Sequence, residues 1–316
     1  MRLQPVASPI MTSVLDAIRI HRDQPDAIIA AGELVDMRFR NGNSLSLRAA
    51  KLFCLLVQEA GVAVIEDVQH RIPYSVLNET FHKSRDDLAD AIEELHSTII
   101  SVKVISRNGR DYVKSGPILS DVERESDDLS AAEIRFEFSP TLRRMIASST
   151  HWAAVSRRAV LAFESKYSLR LYLFLSLRAR LRKTGEDFTL DDLREILGLK
   201  PGTLTRWQDL RRFALEPAVA EISHLAGFHA AYLPIKRGRK IGVVRLVWGL
   251  KDPAELIAAQ KELDQPRTGR IARRDGLVET VAQERHRIAE SLASALPLDQ
   301  PRPGHVSRTS PLIDQP

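Results

Sequence analysis

TLDDLREILGLKPGTLTRWQDLRRFALEPAVAEISHL, residues 189–225, is the stretch on which the fold of this chain turns. Thr189 is placed to cap a helix over Leu190–Leu197, with Asp191 and Asp192 in the first turn, where exposed backbone N–H groups favour negative charge. Gly198 ends that helix, and Lys200-Pro201-Gly202 is a compact turn. Thr203 or Thr205 can cap the next helix, which runs to about Leu225 with Pro217 expected to kink or interrupt it. Phe228–Ile235 and Ile241–Trp248 then read as strands around Lys236-Arg237-Gly238-Arg239-Lys240, four cations in five residues. Helix, tight turn, helix and basic hairpin is the order of a helix-turn-helix followed by a wing.

A helix that reads a DNA groove must show one apolar face to its own core and a polar, cationic face to the duplex. The segment after Gly202 divides in that way: Trp207, Leu210, Ala214 and Val219 can face inward, leaving Thr205, Arg206, Gln208, Asp209, Arg211 and Arg212 outward near the end that meets base edges. Arginine can bond guanine O6 and N7 with both arms, and glutamine can do the same for adenine. Which of these residues touch bases is left open by the sequence. Lys236, Arg237, Arg239 and Lys240, on a glycine-interrupted turn, can follow a phosphate backbone or probe a minor groove. Taken singly, such a helix is equally an amphipathic helix with a solvated face, and such a turn a solubility device. Their succession is what directs the reading to DNA.

Working outward, a weak repeat at an offset of 122 carries Ser46-Leu47-Arg48 onto Ser168-Leu169-Arg170 and Asp87-Leu88 onto Asp209-Leu210. The earlier copy reads as a short strand over Glu33–Phe39, then a helix from Ser44 or Ser46 to Ala60 stopped by Gly61. Arg71–Val76 is expected to be extended because of Pro73, and a helix from Ser84 to Ser97 carries Leu88, Ile92 and Leu95 on one side. Ile99–Ile105 and Tyr112–Leu119 form a hairpin about Ser106–Arg110, with Arg107 and Arg110 as a weaker basic turn, and after an acidic loop over Asp121–Asp128, Ile134, Phe136 and Phe138 alternate as a strand. In the later copy the first helix spans about Glu164–Lys183. Both copies have the order of a winged helix, so the fold class is α+β, helix-rich, with two tandem winged-helix domains. The expected organisation is an N-terminal segment 1–32, a first domain 33–147, a second domain 148–263, and a largely disordered tail 264–316 in which a short helix over Gly276–Leu296 can form.

The charge is polarised. Residues 1–150 hold 18 Lys and Arg against 22 Asp and Glu, whereas 151–250 hold 18 against 9, within a chain whose net charge is +5. A local surplus of this size is the footprint of phosphate binding, although a solvated basic surface with no partner would also carry it. Catalytic signatures are missing: there is no phosphate loop of the Gly-x-x-x-x-Gly-Lys type, no His-Glu-x-x-His, no Cys-x-x-Cys and no nucleophile elbow. The histidines are scattered without metal-ligand spacing, so no catalysis, cofactor or metal is expected. The longest apolar run in the most hydrophobic segment, Leu171–Leu175, is far too short to cross a bilayer. Without an export signal at Met1–Ile20, and with Cys54 alone on an apolar helix face, the expected compartment is the cytoplasm.

The residues that carry a family resemblance are Glu164–Tyr172, Phe188–Gly198, and Trp207 through Leu210-Arg211-Arg212 to Leu215–Ile222, followed by the Gly-Arg-Lys wing. In this order they resemble the second winged-helix domain of initiator replication proteins of iteron-containing, theta-replicating plasmids. The first domain resembles that family in layout only. The resemblance implies a protein whose second domain reads directly repeated iterons in the major groove while the first grips backbone. Binding opens an adjacent AT-rich duplex and recruits the host initiator, helicase and primase. It also implies homodimers through the first domain that repress the protein's own gene at an operator inverted repeat. By position, Arg206, Arg211 and Arg212 take the cationic recognition-helix places; Lys83 and Arg85, at the start of the first copy's second helix, are assigned with Arg107 and Arg110 to sequence-neutral phosphate contacts from the residues alone. Phe213 departs from the pattern where a further arginine is expected, and the Arg/Pro-rich tail after Asp264 is not part of it. A winged-helix transcriptional repressor and a winged-helix protein-interaction module are the alternatives.

Overall fold

The computed structural model describes residues 13–35, 38–39, 44–81, 85–105, 111–124, 133–149 and 151–274. In chain order the elements are α1 (Val14–Ile20), β1 (Ala27–Ala31), α2 (Gly32–Val35), β2 (Arg38–Phe39), α3 (Leu47–Ala60), β3 (His70–Pro73), α4 (Tyr74–Phe81), α5 (Arg85–Ser97), β4 (Ile99–Ile105), β5 (Asp111–Pro117), β6 (Leu119–Glu123), β7 (Glu133–Phe138) and α6 (Pro140–Ala147). They continue with β8 (Trp152–Ser156), α7 (Arg157–Ala162), α8 (Lys166–Ser176), β9 (Gly185–Thr189), α9 (Leu190–Ile196), α10 (Trp207–Leu210), α11 (Glu216–Leu225), β10 (Phe228–Arg237), β11 (Lys240–Leu250) and α12 (Pro253–Asp264). The helix–strand–helix–helix–hairpin order occurs twice, as α3–β3–α4–α5–β4–β5 and as α8–β9–α9–α10/α11–β10–β11. Each is a winged helix.

The two copies differ in how the first strand pairs. In the second, β9 joins the wing as the third strand of an antiparallel sheet in the order β10-β11-β9. In the first, β3 leaves the wing and pairs with β7 in a separate sheet, β3-β7-β6, while β2 takes the place beside β4. Alternation of Ile134, Phe136 and Phe138 turns all three inward from β7, as the sequence predicts.

Two cores result, and a two-stranded ribbon divides them. β1 and β8 pair antiparallel with Ile29 opposite Ala154 and Ala30 opposite Ala153. Ile28, Ala30, Ala153 and Val155 face the core of the second domain; Ile29 and Ala31, with Trp152 and Ala154, face that of the first. Side chains alternate across a strand, so one ribbon serves both domains. Two polar contacts add to this junction: Lys51 Nζ donates to the Leu161 carbonyl at 2.7 Å, and Ser44 Oγ donates to the Gly198 carbonyl at 2.8 Å.

Several local expectations are revised. Glu33–Phe39 is not one strand, since Gly32–Val35 is a helical turn and, among the described residues of this stretch, Arg38–Phe39 alone pair. Pro73 ends β3 and the chain turns helical at Tyr74, so the extended run stops three residues earlier than predicted. Leu119 belongs to β6, in the other sheet from β5, and Asp121–Glu123 are in that strand rather than in a loop. α8 is shorter than expected and is capped by Ser165, whose side chain accepts from Tyr167 N–H. The turn Ser106–Arg110 with Arg107 and Arg110, the rest of the acidic loop after Arg124, and Gly276–Leu296 lie outside the described residues. The described chain continues past Asp264 to Arg274, where Arg270 is buried against Glu262 and the Ala162 carbonyl. No helix among the described residues is long and apolar enough to cross a membrane.

Candidate nucleic-acid interface

The approach to the second domain's recognition helix is built from the cap onward. Thr189 and Asp192 form a reciprocal capping box: Asp192 N–H donates to Thr189 Oγ1 at 3.1 Å, and Thr189 N–H to Asp192 Oδ2 at 3.1 Å. Gly198 ends α9 with φ +67°, and the turn that follows needs two more left-handed residues, Gly202 at +81° and Leu204 at +46°. Leucine is strained in that region by about 1–2 kcal/mol. Arg194 holds it there: its Nη2 donates to the Thr205 carbonyl at 2.6 Å, its Nε to the Leu204 carbonyl at 3.3 Å, and its Nη1 to Asp191 at 2.8 Å. Neither threonine caps the next helix. Thr203 Oγ1 donates instead to the Lys200 carbonyl at 2.7 Å, and the N-cap residue is Arg206, without a side-chain cap bond.

From Trp207 to Leu225 the chain stays helical through Pro217. The regular α-helix is interrupted just before the proline, as expected, but by a π turn over Arg211–Leu215, in which Glu216 N–H donates to the Arg211 carbonyl, rather than by a break in the chain's helical course. The widened turn absorbs what a proline ring would otherwise disrupt, and Pro217 itself stands in the first turn of α11. Leu210, Ala214 and Val219 are buried as expected, and Trp207 is half-buried with its ring edge-on to Tyr232 at 6.1 Å. Thr205, Arg206, Gln208, Arg211 and Arg212 are exposed, whereas Asp209 is half-buried. Arg211 lies 3.7 Å from Glu216, an exposed pair that holds it loosely. Among the described residues no carboxylate pairs with Arg206 or Arg212.

The wing is tighter than the sequence suggests. Lys236 pairs with Ile241 and Arg237 with Lys240 in the ladder, so the turn itself is only Gly238-Arg239, with Gly238 at φ +66°. The stem of Arg237 lies across Gly242, where an added Cβ would meet it at 3.2 Å. Lys236, Arg237, Arg239 and Lys240 are all exposed, and no carboxylate among the described residues pairs with them.

The basic surplus of this domain thereby separates into two populations. Arg178 pairs with Glu186, Arg194 with Asp191, and Arg245 with both oxygens of Asp187 at 2.6 and 2.9 Å. The Arg245 guanidinium holds the Asp187 carboxyl below the usual carboxylate range. These arginines are structural. Exposed cations without a carboxylate partner among the described residues include Arg206 and Arg212 of the recognition helix and the four of the wing, and also Arg180, Arg182 and Lys200. In the first domain, Arg85 is the first residue of α5, but its side chain, like Lys83, lies outside the described residues. Cys54 is buried and its thiol is pushed up to about 12 by burial, so it is core. The described residues hold no cluster of side chains suited to a metal ion.

Family comparison fits this geometry. The model described as initiator replication protein, WH1, matches residues 28–176, and the one described as initiator Rep protein, WH2, matches 189–248. Together they span well over half of the chain. The chain belongs to the initiator replication protein family. Like its family, it carries two winged-helix domains, and the WH2 match begins at the Thr189 cap and ends at Trp248 on the wing. Among solved structures, one titled as the Pi initiator protein in complex with iteron DNA is 16% identical, with a TM-score of 0.53 over 72% of this chain and 98% of that one. At that identity the likeness is one of fold. The WH1 domain of MSBI1.176, a replication protein isolated from a multiple sclerosis patient, is 18% identical over 33% of this chain and 81% of its own, at a TM-score of 0.27 that carries no argument. No curated protein gives a match.

Proposed function

We propose that this chain initiates plasmid DNA replication by binding direct repeats at an origin as sequence-specific double-stranded DNA sites. One observation carries the reading: Arg206, Gln208 and Arg212 stand exposed on the leading part of the recognition helix, beside a wing with four exposed cations. Family membership supports it, as does the fold shared with an initiator whose own structure holds iteron DNA. In this reading Arg206, Gln208, Arg211 and Arg212 read base edges, Thr205 holds the backbone at the helix start, and Lys236, Arg237, Arg239 and Lys240 clamp phosphates. Lys83 and Arg85 add backbone contacts from the first domain, which also forms the homodimer. Origin opening, recruitment of the host initiator, helicase and primase, and repression of the protein's own gene at an operator complete the proposal.

Gel shifts on duplexes carrying the direct repeats next to the gene, at several salt concentrations, test the division of labour. Arg206→Ala or Arg212→Ala is expected to weaken binding to the repeats and relax specificity. Neutralising Lys236 and Arg237 together is expected to weaken binding nearly equally on all sequences and to flatten the salt slope by about 2. If the two sets of variants behave alike, the assignment of reader and clamp is wrong. Strand opening of an origin plasmid by the bound chain separates an initiator from a repressor.

A further inference from the structure

The recognition helix carries one exposed aromatic on its cationic side. Phe213 is 56% exposed, while Leu210, Ala214 and Leu215 around it are fully buried. Its position depends on the π turn. Between Leu210 and Ala214 the widened backbone sets Arg211, Arg212 and Phe213 consecutively on the outer side of the helix, and all three are exposed. The Arg212 guanidinium lies over the Phe213 ring, 5.4 Å from its centroid, so cation and ring form one patch. Hydration alone would favour a polar residue here, and the core does not need the ring.

We propose that Phe213 is a specificity-determining residue that recognises thymine by packing on its C5-methyl group, next to the base pair that Arg212 meets. The inference rests on the reading of this helix as the one that enters the duplex. In the major groove, thymine presents an O4 acceptor and a methyl group, cytosine an amino donor and a bare C5, and purines only acceptors and an amino group. A benzyl side chain has no donor or acceptor with which to choose among the polar edges. The contact that it can gain is with the methyl, and the gain on burying one methyl group corresponds to about a three- to five-fold change in affinity.

The test uses the full-length chain and duplexes that it selects from a random-sequence pool. In the selected site each thymine is replaced in turn by deoxyuridine, which removes only the methyl. Wild type is expected to lose about three- to five-fold at one position per site and little elsewhere. A cytosine at that position should bind worse than 5-methylcytosine. Phe213→Ala should bind the native site with about the same loss and become indifferent to deoxyuridine there, and Phe213→Leu should keep part of the sensitivity. The proposal is overturned if no deoxyuridine weakens wild type by more than about two-fold, or if Phe213→Ala keeps the wild-type profile. If the chain enriches no sequence at all, the DNA-reading function falls and this inference with it; a selected site without methyl dependence removes the inference alone.

Discussion

Lys51 Nζ, on the first domain's α3, donates to the carbonyl of Leu161 in the last turn of the second domain's α7, and the same oxygen accepts from Arg267 Nη2 at 2.9 Å. A cation at a helix C-terminus is favourably placed, but Lys51 is only 5% exposed. Burial, with the nearby Arg267, pushes its ammonium down to about 8. Between that value and the ordinary 10.5 the unfolded chain keeps a proton that the folded chain has released. Stability therefore rises with pH through this window and the charge opposes folding below it, by an amount on the order of 3 kcal/mol. Burial brings Lys251 down to about 8 as well, so it acts in the same direction. Lys51→Met removes the buried charge and leaves the Leu161 carbonyl bonded to Arg267. Urea unfolding is expected to show equal or higher stability at pH 7 and a smaller rise from pH 8 to 9, where Lys251 still contributes; above pH 9 the buried Cys54 thiol, held up to about 12, opposes both lysines. A loss above about 2 kcal/mol at pH 7 would mean that the bond outweighs the burial.

Arg194 acts through the turn rather than through DNA. With three internal partners it holds Leu204 in the left-handed region and so sets the angle at which Arg206 and Gln208 leave the body. Arg194→Ala is expected to cost about 1–2 kcal/mol of stability and to weaken binding to the selected site several-fold, with the salt slope unchanged. A slope that falls by about 1 would instead place Arg194 on a phosphate.

The capped helix, the glycine turn and the basic hairpin of the second domain were legible because each has a local signal: Thr189 with Asp192, Gly198 and Gly202, and the run around Gly238. The division between inward Leu210 and Ala214 and outward Arg206 and Arg212 followed from helical period alone. What escaped the sequence was non-local. Ala27–Ala31 is a short apolar run with no neighbour in sequence to pair with, and its partner lies at Trp152–Ser156. Pairing across such a separation leaves no periodic trace. Pro217 was legible as an interruption of the α-helix but the form was not, since a propensity rule says nothing of the π turn with which the chain meets the ring. The role of Arg194 was hidden for a different reason: as one of many arginines in a basic domain, it differs from Arg206 only in what lies around it. α12 did have a signal, the capping box of Asp252 and Glu255 with Pro253 at the start, which the composition of the following tail obscured.

Gly198 and Gly238 both need a left-handed backbone, at φ +67° and +66°, but their surroundings differ. A Cβ on Gly238 would meet nothing within 4 Å, whereas on Gly198 it would come within 2.6 Å of both Arg170 Cδ and Ser44 Cβ. Gly238→Ala should therefore cost only the backbone term, about 1 kcal/mol, and leave the melting temperature within a few degrees. Gly198→Ala adds a clash at the junction of the two domains and should cost about 2–4 kcal/mol. Equal melting temperatures for the two variants would show that Arg170 and Ser44 move aside freely.

Glu262, with its side chain 9% exposed, accepts from Arg273 Nη2 at 2.7 Å, from Arg273 Nε at 2.9 Å and from Arg270 Nε at 3.3 Å. The Arg273 bonds lead in holding its carboxyl below the ordinary 4.5, against the opposing effect of burial. A depressed carboxyl stabilises the fold above the unfolded value and loses that contribution as pH falls through the folded one. Ending the chain after Asp264 removes both arginines. His224, 3.6 Å away, is poorly suited to replace them because burial lowers its own pKa. Losing these bonds and the packing of Arg270 is expected to cost about 3–5 kcal/mol, so the shortened chain should melt well below the full one at pH 7. Its Glu262, uncovered by the loss of both arginines, would return towards the ordinary value, so the mild acid that weakens the full chain should weaken the short one less. Glu262→Gln should accordingly cost the full chain much more than the shortened one. If the shortened chain instead melts with the full one at both pH 7 and pH 5, the segment after α12 contributes nothing to the second domain.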